Sequence, residues 1–481
     1  MLRPLPVGLA PSTSILAFAA GLFLLIASVR MMLVALFAPE TPYYDEWDGV
    51  IELMARPLLA GRFDASTLFQ LHNEHLLLWT RLLSYAQLRL ADLQFDNVSV
   101  CLASQCLYAA MAAWLIAAAT RHLGAYAPAF ALAAGLVAVL PYGWENIAMG
   151  WGNPYYFLVG FSAGTVVLAA RLRTAAGSVP LALCALAAGV SMGSGAAAGV
   201  VALLAIALRR HIGDLSPRAA LAMALAVLAA IAPIVAFALP AASATTVWGP
   251  RQSGELALLI VLWWPTWLAF LRLLRGRGDG VDVAFACLAL WGLLQLVAIL
   301  LGRPQFRLWY PISRYVEVLA LGGFANLACL CRLSLHGTAP PWPRLAHAAL
   351  AASIVAALLL APFAWHWTRV RADAQHDQAQ RLERYIRAGE RSALAGAAGG
   401  ELAYPQRERL LALVDASDVR FVLGDRVGTR PEPAPLVRAQ RALVAAMTAH
   451  GAWLLPLICT FAGLLLWRAH RRTHDLPATG Q

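Results

Sequence analysis

The chain has 481 residues, of which 60% are hydrophobic and 13% charged, with a formal net charge of +11. Soluble domains hold roughly half apolar and a quarter charged residues, so lipid is the solvent for most of this chain. All 37 basic residues are arginine, a bias expected of a GC-rich bacterial genome, and without a lysine amine Schiff-base catalysis, pyridoxal phosphate attachment and P-loop phosphate binding are excluded.

The arginines gather at the ends of apolar segments, which fits anchoring at a cytoplasmic membrane face and not nucleic-acid binding. Cys101, Cys106, Cys184, Cys287, Cys329, Cys331 and Cys459 all fall within apolar stretches. They read as small hydrophobes that offer no disulfide framework, and the Cys329/Cys331 spacing is not that of a metal knuckle.

From the N-terminus, an apolar run over 14–38 lacks a small-residue cleavage site and reads as a retained helix. Stretches of about 17 to 25 apolar residues cross a hydrocarbon core of roughly 30 Å. Further ones cover 98–120, 125–141, 154–170, 217–239, 255–273, 282–301, 315–331, 345–365 and 444–467. An apolar stretch over 179–208 is broken at Ser191-Met192-Gly193-Ser194-Gly195, with Arg171 and Arg173 before it and Arg209 and Arg210 after it. One crossing would strand an arginine cluster outside, so the positive-inside rule favours two short helices meeting at the break. The expectation is an all-α polytopic protein of about twelve transmembrane helices, set in a bacterial inner membrane with both termini cytoplasmic. The short outer loops then hold only Arg251, Arg303, Arg307 and Arg314.

Three regions follow: a transmembrane domain over 1–365 that includes a first outer loop over 39–97, a small extracytoplasmic region over 366–443, and a last span with its tail over 444–481. The first loop predicts an amphipathic helix through Leu68 to Leu90 lying along the membrane surface. The region 366–443 reads as a small helical appendage that opens on the polar stretch Arg369 to Arg391. No internal repeat points to a transporter built from two halves.

Nine of the 26 acidic residues lie between Glu40 and Asp96, with Asp45, Glu46 and Asp48 just past the first span. Carboxylates at a membrane boundary can act as a base on a water-side substrate while a lipid-borne partner reaches them from the bilayer. Tyr43, Tyr44 and Trp47 can stack on a sugar ring or simply anchor the interface. Further along the loop, Leu71-His72-Asn73-Glu74-His75 puts His72 and His75 on one face if helical. They then serve as ligands to a divalent cation, as hydrogen-bonding partners of a substrate, or as structural contacts.

In the second outer loop, Glu145 orients a hydroxyl or is an interfacial acid without a role. The arginines at 303, 307 and 314 stand where the positive-inside rule disfavours them. Binding a lipid phosphate accounts for them, and so does snorkelling to headgroups. Gly189-Val190-Ser191-Met192-Gly193 has the nucleophile-elbow form but joins apolar segments rather than a strand and a helix. Gly195 and Gly199 read as a small-xxx-small packing face.

Taken in order, four features resemble the GT-C superfamily of polytopic glycosyltransferases, particularly the bacterial members that use polyprenyl-phosphate-linked sugars. These are the acidic pair Asp45-Glu46 after the first span, the His-containing segment, the acid Glu145 in the next outer loop, and the paired short helices. Trp144-Glu145-Asn146 and Ser313-Arg314-Tyr315 also resemble segments of uncharacterised bacterial relatives of that group. The resemblance covers roughly residues 14–330. It implies an inverting transfer from a polyprenyl-phosphate sugar to a glycan, lipid or protein acceptor on the extracytoplasmic face. Asp45 would be the base and Arg314 with its neighbours, including Tyr315, would clamp the phosphate. Glu46, Asp48, His72, Asn73, Glu74, His75 and Glu145 would orient substrate or hold a divalent cation such as Mg or Mn. The chain departs from better-known members in having Asn73-Glu74 where a proline pair often follows the histidine. The rival expectations are a lipid or solute transporter, set lower because the helix interiors show almost no ionisable residue except Arg30, and a non-catalytic envelope-assembly subunit, which the 366–443 appendage would support.

Overall fold

Inside a bilayer no water satisfies a backbone N–H or C=O, so long Ala/Leu/Val runs close their hydrogen bonds within the segment and fold as helices. The computed structural model of the chain describes residues 13–72, 75–238, 249–302, 313–336, 341–390, 392–395, 402, 404–425, 427 and 432–474. The described residues are all-helical with no strand. The order is α1 (Thr13–Phe37), a π-helical stretch (Trp47–Ala55), α2 (Arg56–Leu59), α3 (Leu78–Leu90), α4 (Asn97–Thr120), α5 (Ala127–Val139), α6 (Trp144–Ala148) and α7 (Pro154–Arg171). Next come α8 (Ser178–Ser191), α9 (Ala196–His211), α10 (Pro217–Ala238), α11 (Pro250–Leu262), α12 (Trp264–Leu274), α13 (Gly280–Gly302) and α14 (Val316–His336). The chain closes on α15 (Pro341–Ala388), the short α16 (Ser392–Ala395), α17 (Arg407–Asp415) and α18 (Ser417–Leu423), and α19 (Pro435–His474).

Among the described residues nine helical segments are long and apolar enough to cross a membrane, or ten if a bent pair counts as one span. That pair is α11 and α12, which meet at 56° where a single span over 255–273 was expected. Pro265 has no N–H to give and its ring crowds the carbonyl four residues back, which breaks the helix there. The expected pair of short helices around the Gly/Ser break is present as α8 and α9, but α8 has only 14 residues and neither it nor α7 is among the nine. Ser191 ends α8 with its hydroxyl bonded to the Ala187 carbonyl at 2.7 Å, so its setting is helical and not that of a nucleophile elbow. A Cβ on Gly195 would run into the Ala188 carbonyl, and one on Gly199 into Ile231 of α10. Both glycines therefore sit at close packing contacts.

The last two long helices exceed what crossing requires. At 1.5 Å per residue the 48 residues of α15 span about 72 Å and the 40 of α19 about 60 Å, twice the hydrocarbon core of roughly 30 Å or more. The polar stretch after Arg369 is thus the continuation of a spanning helix rather than a separate one. Between these helices, α17 and α18 fold back onto the first loop. Val419, Val422 and Leu410 share one buried cluster with Val50, Ile51 and Met54 of the π-helix. Around that contact Arg56 pairs with Asp418 at 2.7 Å, Arg409 with Asp48 at 2.8 Å, and Arg441 with both Glu40 and Asp425 at 2.8 Å.

The two ends of the bundle differ in chemistry. At one end Arg332 pairs with Asp279 and Asp282, Arg173 and Arg209 pair with Asp214, and Arg121, Arg171 and Arg210 stand close by in sequence. At the other end the first loop, α6 and the start of α14 converge. Asn97, fully buried at the head of α4, joins them by donating to the Pro39 and Ala148 carbonyls and accepting from the Gly150 N–H. Just before it, Asp96 caps α4 through the N–H groups of Val98 and Ser99.

Between these ends α1 carries Arg30, 1% exposed. Its Nε donates to the Ala138 carbonyl at 2.8 Å, one terminal nitrogen reaches Gln105 at 3.3 Å, and the other pairs with Glu317 of α14 at 3.4 Å. The guanidinium also lies 4.1 Å from the centre of the Tyr108 ring. Every nitrogen thus has an acceptor, which is the condition for holding a cation in a low dielectric.

Two stability predictions follow from these contacts. Arg30→Met would leave Glu317 buried without its cation and cost about 3–5 kcal/mol, seen as a lowered unfolding midpoint in detergent, and Arg30→Met/Glu317→Met should recover most of the loss. For Asp96, burial is the chief cause that pushes its carboxyl up to about 6, with Glu40 adding to the push and Ser99 opposing it. A folded value above the unfolded one gives stability that is complete below about pH 4 and is lost as pH rises through 6. Asp96→Asn keeps a capping oxygen but does not titrate. Its stability relative to the parent should rise by about 2–3 kcal/mol between pH 4 and pH 7.

Candidate functional site

Where the first loop leaves α1, Tyr43-Tyr44-Asp45-Glu46 makes a tight turn that feeds the π-helix, with the Glu46 and Trp47 N–H groups donating to the Tyr43 and Tyr44 carbonyls. Tyr44 has φ +49°, a left-handed conformation that is costly for a bulky residue and that clusters at functional sites. The turn sends its carboxylates in different directions. Asp45 keeps 45% of its side chain exposed, and His72 Nε2 lies 4.0 Å from its Oδ1.

Glu46 points inward and is 2% exposed, its two oxygens accepting the N–H groups of Tyr43 at 2.8 Å and Trp151 at 3.2 Å. Burial drives its carboxyl well above the ordinary range and Asp45 adds to that, against the pull of the Trp151 and Gly150 amides. Asp48 turns the other way. It accepts the Tyr404 hydroxyl at 2.8 Å and pairs with Arg409, so it belongs to the contact with the 366–443 region. Of the three expected catalytic acids, Asp45 alone faces open space.

His72 and His75 do not share a helix face. They pair as an isolated antiparallel bridge, each N–H donating to the other's carbonyl at 2.8 and 3.0 Å. The expected helix through Leu68 to Leu90 begins only at Leu78, because Arg81 gathers the preceding loop. Fully buried, Arg81 brings one terminal nitrogen within reach of the carbonyls of Thr67, Leu68, Gln70 and Leu76, to two of which it can donate at a time, while its Nε and other terminal nitrogen have no acceptor among the described residues. Burial lowers its pKa to about 10. The polar face of α3 is the inner one: Thr80, Arg81, Ser84 and Gln87 are buried while Leu82 and Leu90 are exposed. From the bridge, His72 meets the Trp151 ring edge-on at 5.5 Å, and His75 Nδ1 accepts the Gly193 N–H at 3.4 Å. The second histidine therefore reaches the Gly/Ser break between α8 and α9 rather than Asp45.

The segments bearing Glu145 and Arg314 meet through Glu145. Its Oε2 accepts the Ser313 hydroxyl at 2.7 Å and the Arg314 N–H at 3.2 Å, and its Oε1 pairs with the Arg314 guanidinium at 3.2 Å. Arg314 remains 35% exposed, and its Nε has no acceptor. Tyr315 is buried edge-on to Tyr155 at 5.5 Å and so supports the segment from beneath. Asn146 extends the connection downward, donating to the Arg314 carbonyl at 2.9 Å and to Glu317 at 2.8 Å. Asn73, Glu74, Arg303 and Arg307 lie outside the described residues.

These pieces border one cleft of about 550 Å³, lined by Tyr43, Tyr44, Asp45, Glu145, Met149, Arg314 and Gln375. Residues from three loops and from α15 thus share one space. Two contributors from α15 were not legible in the sequence. Gln375 is 3% exposed with a side-chain oxygen that has no donor. Arg371 donates to the Tyr43 hydroxyl and lies 5.1, 5.8 and 6.0 Å from the ring centres of Tyr43, Tyr44 and Trp144. Of the three aromatic side chains expected to stack on a sugar or anchor the interface, Tyr43 and Tyr44 hold this guanidinium together with Trp144, while Trp47 is fully buried.

Chemically, the cleft offers the exposed carboxylate of Asp45, the partly exposed guanidinium of Arg314 and the amide of Gln375 in its lining. That set suits a ligand carrying both hydroxyls and an anion. Among the described residues no three His, Cys, Asp or Glu side chains come together as a metal site, and Asp45 with His72 is the nearest pair of donors at the cleft. Compared with known proteins, the chain matches no family model and no curated sequence.

Proposed function

We propose that this protein is a GT-C-type membrane glycosyltransferase of about twelve crossings, which moves a sugar from a polyprenyl-phosphate donor to a glycan, lipid or protein acceptor with inversion. One observation carries the reading. Asp45 and Arg314, 269 positions apart, face the same cleft at the end of the bundle opposite the arginine belt, which is the outer end under the positive-inside rule.

In this reading Asp45 removes the proton from the acceptor hydroxyl as its oxygen bonds to the anomeric carbon. On the opposite face the bond from that carbon to the phosphate oxygen breaks, and the lipid phosphate leaves onto Arg314. Glu145 fixes the arginine, which is pre-organised stabilisation of developing negative charge. Gln375 accepts a sugar hydroxyl. His72 orients Asp45, while Glu46, His75 and Tyr315 position the loops without touching substrate. A divalent cation such as Mg or Mn would be held by Asp45 and His72, with the substrate phosphate supplying the remaining oxygens, as Mg sites commonly do. No step above is routed through it.

The transporter reading draws on the buried Arg30–Glu317 pair, because ionisable groups within spans mark translocation paths. Here both partners are closed off by fixed acceptors and donors, Ala138, Gln105 and Asn146, which favours a structural role.

The test is transfer from a labelled polyprenyl-phosphate sugar by the full chain in proteoliposomes. Asp45→Asn should lower the rate about 10²- to 10⁴-fold while the donor still binds, and Arg314→Gln should weaken donor binding. Undiminished transfer by Asp45→Asn would remove the base. Movement of an unmodified solute across the vesicle would support the transporter instead.

A further inference from the structure

Below the cleft, α4, α5, α7, α13 and α14 border a second space, a groove that opens to the surface beside the half-exposed Trp114 and is lined almost wholly by apolar side chains such as Met111, Phe130, Leu288 and Phe324. It carries charge only at its ends. Glu317 borders the end beneath the cleft, and Arg171 and His122 border the other. Measured along α4 from Tyr108 to His122, it is about 21 Å long at 1.5 Å per residue, somewhat more than half of a hydrocarbon core of roughly 30 Å.

The two ends are electrostatically opposite. Glu317 is already neutralised by Arg30 and adds no positive potential. At the far end Arg332 is taken up by Asp279 and Asp282, whereas among the described residues neither Arg171 nor the neighbouring Arg121 has a carboxylate within ion-pair distance. The His122 imidazole reports their field. Burial first, and then Arg171, Arg121 and Arg332, hold it down to about 4, so it stays neutral and adds an N–H donor rather than a third charge.

We propose that this cavity holds an acyl chain of an anionic phospholipid from the leaflet at the arginine-rich end, with the lipid's phosphate on Arg171 and Arg121 and the chain running toward Glu317. An anion at the mouth meets two unneutralised guanidiniums, which bind phosphate through charge-assisted hydrogen bonds. The opposite orientation would set a phosphate beside a carboxylate. The isoprenoid tail of a donor seated at Arg314 does not fit this space, because Glu317, 4% exposed, closes the cavity on that side. The inference is independent of the transferase reading.

The full chain, extracted in mild detergent and offered equal amounts of phosphatidylglycerol and phosphatidylcholine, is examined by native mass spectrometry for retained lipid. The parent should retain phosphatidylglycerol over phosphatidylcholine by roughly tenfold or more, the factor expected of one charge-assisted contact. Arg121→Gln/Arg171→Gln should abolish the preference. Ala119→Phe, which fills the cavity wall near the mouth, should lower retention of both lipids. Equal retention of the two lipids by the parent overturns the proposal without any variant. So does an unchanged preference in the double variant, or displacement of phosphatidylglycerol by an equal amount of polyprenyl phosphate.

Discussion

A guanidinium in the middle of a helix bundle has to be neutralised where it stands, and the way Arg30 is neutralised sets the geometry above it. Its partner Glu317 is drawn in from the first turn of α14, and Glu317 in turn accepts from Asn146, which also holds the Arg314 carbonyl. Gln105 and the Tyr156 hydroxyl close the same network on the Asn146 carbonyl at 3.0 and 3.1 Å. The outer segment bearing Glu145 and the one bearing Arg314 are thereby tied to a feature deep in the bundle. A buried charge pair adds little net stability compared with apolar packing. Its use here is registry, since only one relative placement of α1, α4, α6 and α14 satisfies every donor.

A second constraint acts from outside. The π-helix that follows Asp45 is an uncommon element, and such stretches recur at functional sites because they turn side chains out of the regular helical rhythm. Here Trp47 is fully buried, Asp48 faces Tyr404 and Arg409, and Glu46 faces α6 and its neighbours. The ends of α15 and α19 carry α17 and α18 to the outer side of this stretch, where Arg56, Arg409 and Arg441 meet acids. Exposed pairs of this kind contribute little singly. Their role is to orient a surface whose adhesion comes from Val50, Ile51 and Met54 against Leu410, Val419 and Val422. The 366–443 region is thus part of the wall that holds the turn at Asp45.

What could be read from the chain divides along range. Spans over 14–38, 98–120, 217–239 and 282–301 were legible because twenty apolar residues in a row have one low-energy solution in lipid. The break at Gly193–Gly195 was legible because glycine and serine interrupt such a run. The grouping of Asp45, Glu145 and Arg314 at one end followed from counting crossings. The direction of each side chain did not, since Asp45, Glu46 and Asp48 are equivalent by composition and only Trp151, Tyr404 and Arg409, far off in sequence, sort them. The pairing of His72 with His75 as a bridge, and the late start of α3 beside the buried Arg81 that faces the carbonyls of Thr67, Leu68, Gln70 and Leu76, are not revealed by helical periodicity. Gln375 and Arg371 escaped notice because a polar stretch after a span looks like solvent-facing helix until its partner loop is in place.

The same asymmetry that identifies the cleft also limits what can reach it. Above Glu317 the space is polar and open, with Asp45, Gln375 and Arg314 on its walls. Below it the space is apolar, with Arg171 at the far mouth. The floor between the two is the Arg30–Glu317–Asn146 network, whose members are each 4% exposed or less. A ligand in one chamber therefore has no passage into the other without breaking hydrogen bonds that cost several kcal/mol to leave unmade in a low dielectric. Under the proposed function, a donor with a lipid tail would approach Arg314 from the side of the bundle rather than through its centre, its tail staying in the bilayer while the phosphate entered the cleft. That geometry suits a transferase that works at the membrane boundary better than a carrier that must open a path along its axis.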